Sequence, residues 1–307
     1  MRYDYCATIG FFDGVHRGHQ HVIGCLSDIA RARGIKSMII TFDRHPRQVV
    51  HADYVPQLLT APSEKLRLLR ETGVDSVEVL HFDSDMARMP AREFMQTVLH
   101  DRLGVALLLT GYDNRFGHNR SEGFEDYVRY GKEMGMEVAE CTPTDIDGLR
   151  VSSSLVRRLL ADGDVAEAGR CLGRPYRFGG TVAHGYQEGR RLGFPTANIC
   201  PDMAEQLIPL VGVYAARVAV EDGKPMPAML NIGTNPTFQR SSLTIEAHII
   251  GFDGDIYGKH VTVEFCSRLR GERRFDSIDA LRSQLAADRE AVIKELSSYP
   301  TQHQEYK

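Results

Sequence analysis

The sequence predicts two domains of different class. The first is an α/β domain with a parallel sheet covered by helices on both faces; the second is an antiparallel β barrel or sandwich closed by a helix. Three observations carry this reading. At 307 residues the chain exceeds the usual span of one domain. Its first half alternates short apolar runs with amphipathic helical patterns, the signature of a parallel sheet. From Tyr176 onward period-two alternation dominates, with glycine and proline in the gaps.

Taken in order, the strand-like runs of the first half are Ala7–Gly10, Lys36–Phe42, Ser76–Leu80, Val105–Thr110 and Glu137–Glu140. Between them lie helical patterns at 20–33, 62–72, 90–103 and 122–134, with Pro62-Ser63-Glu64 as a helix opening whose glutamate suits the dipole. Asp164–Leu172 reads as a short joining helix, which places the boundary near 160–175 and the domains at 1–165 and 175–307. The second half offers strands at Arg177–His184, Gly212–Val220, Met226–Ile232, Leu243–Ile250 and His260–Phe265. Its closing helix carries an apolar stripe, Ile278, Leu281, Leu285, Val292 and Leu296, behind a Ser277 cap.

Composition excludes several classes. Apolar content of 42% and charged content of 25% are ordinary for a globular protein, and a net charge of −4 gives no basic footprint for nucleic acid. No apolar run is long enough for a membrane helix, and no signal-peptide core follows Met1. The six cysteines are scattered without a C-x-x-C, which fits reduced thiols in a cytoplasmic protein better than a zinc or disulfide framework. A P-loop and a Gly-x-Gly-x-x-Gly after the first strand are both missing, so a P-loop kinase and a dinucleotide-binding domain are disfavoured.

The chemistry gathers in a few stretches. Gly10-Phe11-Phe12-Asp13-Gly14-Val15-His16-Arg17-Gly18-His19 runs from a strand through glycines into a helix. That order aims a helix N-terminus at an anion. Histidines three apart share a face, with Gly18 leaving room between them. Such a site suits attack by a phosphate on the α-phosphate of a nucleoside triphosphate, which needs electrostatic stabilisation and no general base. His45-Pro46 and the loop Gly111-Tyr112-Asp113-Asn114-Arg115-Phe116-Gly117 fall at the same sheet edge, where such sheets bind ligands. Asp113 and Arg115 suit a hydroxyl and a phosphate, and Phe116 suits a ligand ring; a structural turn is the alternative. Ser153 and Ser154 open a helix with Arg157 one turn in, a pattern for capping or for a leaving pyrophosphate.

In the second half, Gly180, Val182, Gly185, Gly189, Arg190 and Gly193 precede Phe194-Pro195-Thr196-Ala197-Asn198. The glycines let backbone approach a polyphosphate. Thr196 and Asn198, two apart on an extended segment, offer oxygens suited to Mg²⁺. Alternation in Leu243–Ile249 sets Thr244, Glu246 and His248 on one face, and Glu246 suits a general base for an alcohol; a solvated strand glutamate is the alternative. Asn231 opens a second Pro-Thr loop through Pro236-Thr237-Phe238, and Arg268–Phe275, including Arg270, reads as a charged flap.

With these residues in view, the chain resembles the bacterial bifunctional riboflavin kinase/FAD synthetases over nearly its whole length. Gly10-x-Phe12-Asp13-Gly14-x-His16-x-Gly18-His19, His45-Pro46, Gly111-x-Asp113 and Ser153-Ser154-x-x-Arg157 resemble the nucleotidyltransferase module. Gly180-x-Val182, Gly189-Arg190, Leu192–Asn198, Asn231-Ile232-Gly233, Pro236-Thr237-Phe238 and Glu246 resemble the kinase module. The resemblance implies a Rossmann-like domain and a riboflavin kinase-like barrel. It implies riboflavin and ATP-Mg²⁺ giving FMN, with Glu246 as base and Thr196 and Asn198 on the metal. FMN and a second ATP would then give FAD and pyrophosphate. There His16, His19 and Arg157 would act on the phosphates with Gly10, Phe11, Phe12, Asp13, Gly18, Ser153 and Ser154, and Asp113 would lie near the adenosine. His45 and Arg115 would face the flavin, and Gly180, Val182, Gly185, Gly189, Arg190, Pro195, Asn231 and Arg270 would hold ATP and flavin in the kinase. Arg44, Asn114 and Ser154 depart from the family pattern; Ser154 keeps the hydroxyl, whereas the other two bear on flavin contacts. Partners would be small flavins and ATP, with the chain a monomer or weak homo-oligomer. A rival reading keeps one module active and makes the other a flavin- or nucleotide-sensing domain.

Overall fold

A computed structural model describes residues 4–51, 53–112, 114–142, 145, 148–185, 188–235 and 242–297, without the side chains of Glu188, Arg190, Asn235 and Ser242. Asp113, the side chain of Arg190 and the Pro236-Thr237-Phe238 loop therefore lie outside the described residues. The chain divides into two compact units, Met1–Ser152 and Ser153–Lys307.

The first unit is organised on five parallel strands, β1 (Tyr5–Ile9), β2 (Lys36–Phe42), β3 (Ser76–Leu80), β4 (Val105–Gly111) and β5 (Glu137–Cys141), in the order β3-β2-β1-β4-β5. Alternation along the strands sorts the two cores. Ala7, Ile9, Met38, Ile40, Phe42 and Leu108 pack on one face with Phe94, Leu99 and Tyr127. Cys6, Ile39, Leu107 and Leu109 pack on the other with Ile23, Leu26, Ala30 and Leu69. Helices α1 (Arg17–Arg33), α2 (Pro46–Val50), α3 (Pro62–Glu71), α4 (Ser84–Arg88), α5 (Ala91–Phe94) and α6 (Phe124–Met134) connect the strands, and α5 continues as wider π-helical turns through Arg102. Gly34 ends α1 in the left-handed conformation, a common helix stop. Strand order reverses between β1 and β4, so the loops after these strands flank the crevice where such sheets take ligands.

The second unit begins with α7 (Ser153–Asp162) and α8 (Val165–Leu172), whose Asp164 cap accepts from Glu167 N. Both helices cluster with the barrel, and α8 lies against its strands β6 (Tyr176–Ala183) and β11 (His260–Arg270). The barrel is closed by β10 (Ser242–Ile249), β7 (Ala197–Pro201), β6, β11, β8 (Gly212–Val220) and β9 (Met226–Asn235), in that order. Closure removes the free edges that a sandwich would leave. Tyr176, Phe178 and Tyr214 meet Phe265 at ring distances of 6.1, 5.9 and 5.3 Å. Helix α9 (Glu188–Leu192) sits between β6 and β7, and α10 (Ile278–Ser297) packs Val292 and Leu296 on Val213, Ala215 and Met229.

Two expectations are corrected here. Ile278 does not belong to the apolar stripe: it is 66% exposed, whereas Val292 and Leu296 are buried against the barrel. Arg268–Arg270 is strand rather than flap, paired with β8 across a register shift. No helix among the described residues is long and apolar enough to cross a membrane.

Candidate active sites

In the first unit β1 runs out at Ile9, and the chain turns through Gly10–Val15 before α1 starts. Phe12 and Val15 both hold positive φ, 55° and 40°. For a β-branched residue this is rare, and strain of this kind collects where surrounding contacts hold a functional loop. Asp13 is one such contact. Buried, it accepts from Leu59 N at 3.0 and 3.1 Å and from Thr60 N at 3.3 Å, while Gly14 N donates to Thr60 Oγ1 at 3.2 Å. Its carboxylate thus ties the turn to the segment before α3.

His16 is the N-cap of α1, and its Nδ1 accepts from His19 N at 3.2 Å. That bond leaves the neutral ring's proton on Nε2. The two imidazoles stack, with centroids 3.6 Å apart and planes 18° from parallel, and Phe12 meets His19 edge-on at 5.1 Å. Burial pushes His19 well below the usual histidine value, with the nearby His16 and Lys65 adding to it. Both rings are therefore neutral donors. His19 Nδ1 is buried and has no hydrogen-bond partner among the described residues. Gly18 has a packing reason beyond room for an anion: a Cβ there would meet the Val151 carbonyl at 3.0 Å and His16 Nδ1 at 3.1 Å.

Lys65 is the residue that sequence reasoning missed. It is 3% exposed, donates to the Phe42 carbonyl at 2.9 Å and lies 3.8 Å from the centre of the Phe11 ring. Burial pushes its ammonium down to about 8, against the opposing pull of Asp13 and Asp43. Phe11 in turn meets His45 at 4.8 Å, and His45 caps α2 through its Nδ1 and Arg47 N. The turn after β1, the His45 cap after β2 and Lys65 thus form one contiguous cluster. The loop after β4 joins it through Asn114, whose amide donates to the Ile9 carbonyl; this is what the departure at Asn114 does. Phe116 stacks on Tyr127 at 4.2 Å, with its own N–H donating to the Tyr127 hydroxyl. Arg115 is exposed. Ser153, Ser154 and Arg157 open α7 in the second unit.

In the barrel, register does the assembling. Glu246 on β10 pairs with Asn198 on β7 on one side and with Asn231 on β9 on the other. Thr196, just before β7, donates its hydroxyl to Glu246 Oε2 at 3.2 Å. His248 Nδ1 donates to the Pro195 carbonyl at 2.9 Å and fixes the segment from behind. Two glycines press on the oxygen donors. A Cβ at Gly185 would run into the Asn198 amide, and one at Gly189 would meet the Phe194 carbonyl and Thr196 Oγ1. Gly180 serves a different end: its missing Cβ lets β6 cross closely over Ile199 and Cys200 of β7.

Two cavities meet at Thr196. One, about 590 Å³, is lined by Val182, Pro195, Thr196, Ala247, Phe252 and Tyr257 among others. The other, about 320 Å³, is lined by Glu246, Asn231 and Thr196, by the apolar Leu192, Phe194, Met229 and Leu285, and by the charged Glu272 and Arg273 among others. Arg270 also lines the smaller cavity, but its guanidinium is held by Asp288 at 2.7–3.2 Å, with Gln284 donating to the same carboxylate.

Comparison with known proteins matches two families to the two halves of the chain. The FAD synthetase family model matches residues 2–155 and the riboflavin kinase model residues 172–296. The bifunctional riboflavin kinase/FMN adenylyltransferase of Escherichia coli strain K12 is 39% identical over 92% of this chain and 89% of its own length. Its counterpart in Bacillus subtilis is 32% identical over 95% and 92%. A crystal structure described as a macrolide-efflux protein from Streptococcus pneumoniae superposes with a TM-score of 0.86 at 32% identity, covering 94% of both chains.

Proposed function

The chain belongs to the bifunctional riboflavin kinase/FMN adenylyltransferase family, and from that premise we infer how its residues divide the two reactions. The barrel transfers the γ-phosphoryl group of ATP to riboflavin, giving FMN and ADP. The sheet unit joins FMN to the adenylyl group of a second ATP, giving FAD and pyrophosphate. Matching both family models in one chain favours two working modules over a single enzyme beside a sensor.

In the kinase, Glu246 takes the proton of the ribityl hydroxyl as its oxygen attacks the γ-phosphorus and the bond to ADP breaks. Thr196 orients that carboxylate, and the apolar wall of the smaller cavity takes the ring system. The oxygens of Thr196 and Asn198, pressed by Gly185 and Gly189, fit Mg²⁺, which is hard and oxygen-seeking. Bound there, it would neutralise phosphate charge. In the transferase the attacking group is already an anion, so its site needs donors rather than a base. The FMN phosphate oxygen attacks the α-phosphorus while the bond to pyrophosphate breaks. Neutral His16 and His19 donate to the charge that develops, and Lys65 sets a buried positive charge behind them. His45 and Arg115 take the flavin side, Asp113 the adenosine, and Ser153, Ser154 and Arg157 the outgoing pyrophosphate, as the resemblance implies. We place the protein in the cytoplasm, as a monomer or weak homo-oligomer.

The observation that carries this reading is the hydrogen-bonded Thr196–Glu246 pair at the junction of two cavities. Incubation of the purified chain with riboflavin, ATP and Mg²⁺, followed by chromatography, tests it. FMN rises first and FAD follows; failure to form FMN would refute the kinase assignment.

A further inference from the structure

Helix α1 is held to β5 at both ends. Near its C-terminus Arg33 forms a bidentate pair with Glu137, both bonds at 2.9 Å. Toward its N-terminus His21 and Cys25, four residues apart and so on one face, meet Cys141, the last residue of β5. One imidazole nitrogen and the two sulfurs lie within 4.8 Å of one another. Cys25 Sγ is 3.8 Å from His21 Nε2, which itself lies 3.2 Å from the Thr142 carbonyl. Cys141 is buried and the other two are half-buried, so the cluster is reachable from solvent on one side. Neither reaction above uses these groups.

We propose that His21, Cys25 and Cys141 bind a thiophilic divalent cation, zinc by the fit of its ligands, with two thiolates, one imidazole and a fourth oxygen position beside the Thr142 carbonyl. Tetrahedral zinc with sulfur at about 2.3 Å and nitrogen at about 2.0 Å sets its ligand atoms roughly 3.5–3.8 Å apart. The His21–Cys25 distance already matches, and the third ligand needs a shift of about 1 Å or less. Both sulfurs start as thiols at neutral pH. Binding therefore forms two metal–sulfur bonds and one metal–nitrogen bond and releases two protons to solvent, while the imidazole proton moves from Nε2 to Nδ1 and the contact of Nε2 with the Thr142 carbonyl is given up. The filled site would clamp to the sheet the helix whose N-terminus carries His16 and His19.

The test uses the untagged, reduced, metal-free full chain without nucleotide, titrated with Zn²⁺ against a chromogenic chelator and separately with Co²⁺. The expected result is one zinc per chain, two protons released, and a thiolate-to-cobalt charge-transfer band in the near ultraviolet. Loss of second-shell partners alone weakens metal sites about 10- to 100-fold, so Cys25→Ser and Cys141→Ser should each weaken binding by about 100-fold or more. Cys200→Ser, an exposed thiol elsewhere, should bind as the parent does. Cys25 is half-buried, so its serine variant decides the question if Cys141→Ser misfolds. Equal zinc affinity in parent and Cys25→Ser, or a cobalt spectrum without the charge-transfer band, overturns the site. So does a reduced parent chain that binds no zinc and merely forms a Cys25–Cys141 disulfide on oxidation.

Discussion

Replacing Lys65 with methionine should change how stability depends on pH, and by an amount the structure sets. The ammonium is 3% exposed, has one carbonyl acceptor and one aromatic face, and titrates near 8 where an ordinary lysine titrates near 10.5. A difference of that size corresponds to about 3 kcal/mol of differential interaction, at about 1.4 kcal/mol for each tenfold step. The sign follows from proton binding. Below pH 8 both native and unfolded chains carry the charge, and the full desolvation cost weighs on the fold. Between 8 and 10.5 the native chain has lost the proton while the unfolded one keeps it, so stability rises with pH. Above 10.5 the cost is gone. Urea unfolding of parent and Lys65→Met at closely spaced pH values from 7 to 11 isolates this contribution as the difference between the two, because every other titrating group is common to both. Parent minus variant should climb by about 3 kcal/mol across the window. A flat difference would mean that Lys65 is hydrated, and its place in the transferase site would fall with it.

Asp13→Ala strips the acceptor from two buried N–H groups, and bonds to a charged acceptor contribute about 1.5–3 kcal/mol each, so the urea transition of the sheet unit should shift by at least about 2 kcal/mol; Asp13→Asn should recover part of it. Gly185→Ala forces the Asn198 amide aside, and a displacement of about 1 Å at a reacting centre costs up to about 100-fold, which should appear in riboflavin phosphorylation while FMN adenylylation is unchanged. Thr196→Val keeps the shape but removes the hydroxyl that orients Glu246; riboflavin phosphorylation should fall about 100-fold, and Thr196→Ser should restore most of it.

The fold was largely legible. In the sheet unit each run became a strand; the central β1, β2 and β4 are buried on both faces and need an unbroken apolar run, whereas the edge strands β3 and β5 carry glutamates and are only partly buried. In the barrel, period-two alternation marked five strands, but β7 is short, follows a proline and begins with the polar site, so it read only as an extended segment. The end of β11 read as a charged flap because Arg268 and Arg270 are charged; buried Asp288 on α10 pairs with Arg270 there. The sites were legible where chemistry is local. His16 and His19 stand three apart, and Thr196 and Asn198 two apart. Partners supplied from afar were not legible. Lys65 on an amphipathic helix looks like any solvated lysine until the Phe11 ring and the Phe42 carbonyl take up its ammonium. Asp13 reads as a phosphate-loop residue until Leu59 and Thr60 claim its oxygens. The His21–Cys25–Cys141 cluster spans 120 residues of chain and contains no C-x-x-C, so cysteine spacing argued against a zinc site.

Two single substitutions, each assayed for both reactions, test the division of labour most directly. Glu246→Gln should slow riboflavin phosphorylation by roughly 100- to 10,000-fold, the range of a positioned base, and still convert supplied FMN to FAD at the parent rate. His19→Ala should slow FMN adenylylation at least about 100-fold and leave riboflavin phosphorylation alone. Parallel loss of both activities in either variant would contradict the assignment of the carboxylate to one ATP reaction and the imidazoles to the other.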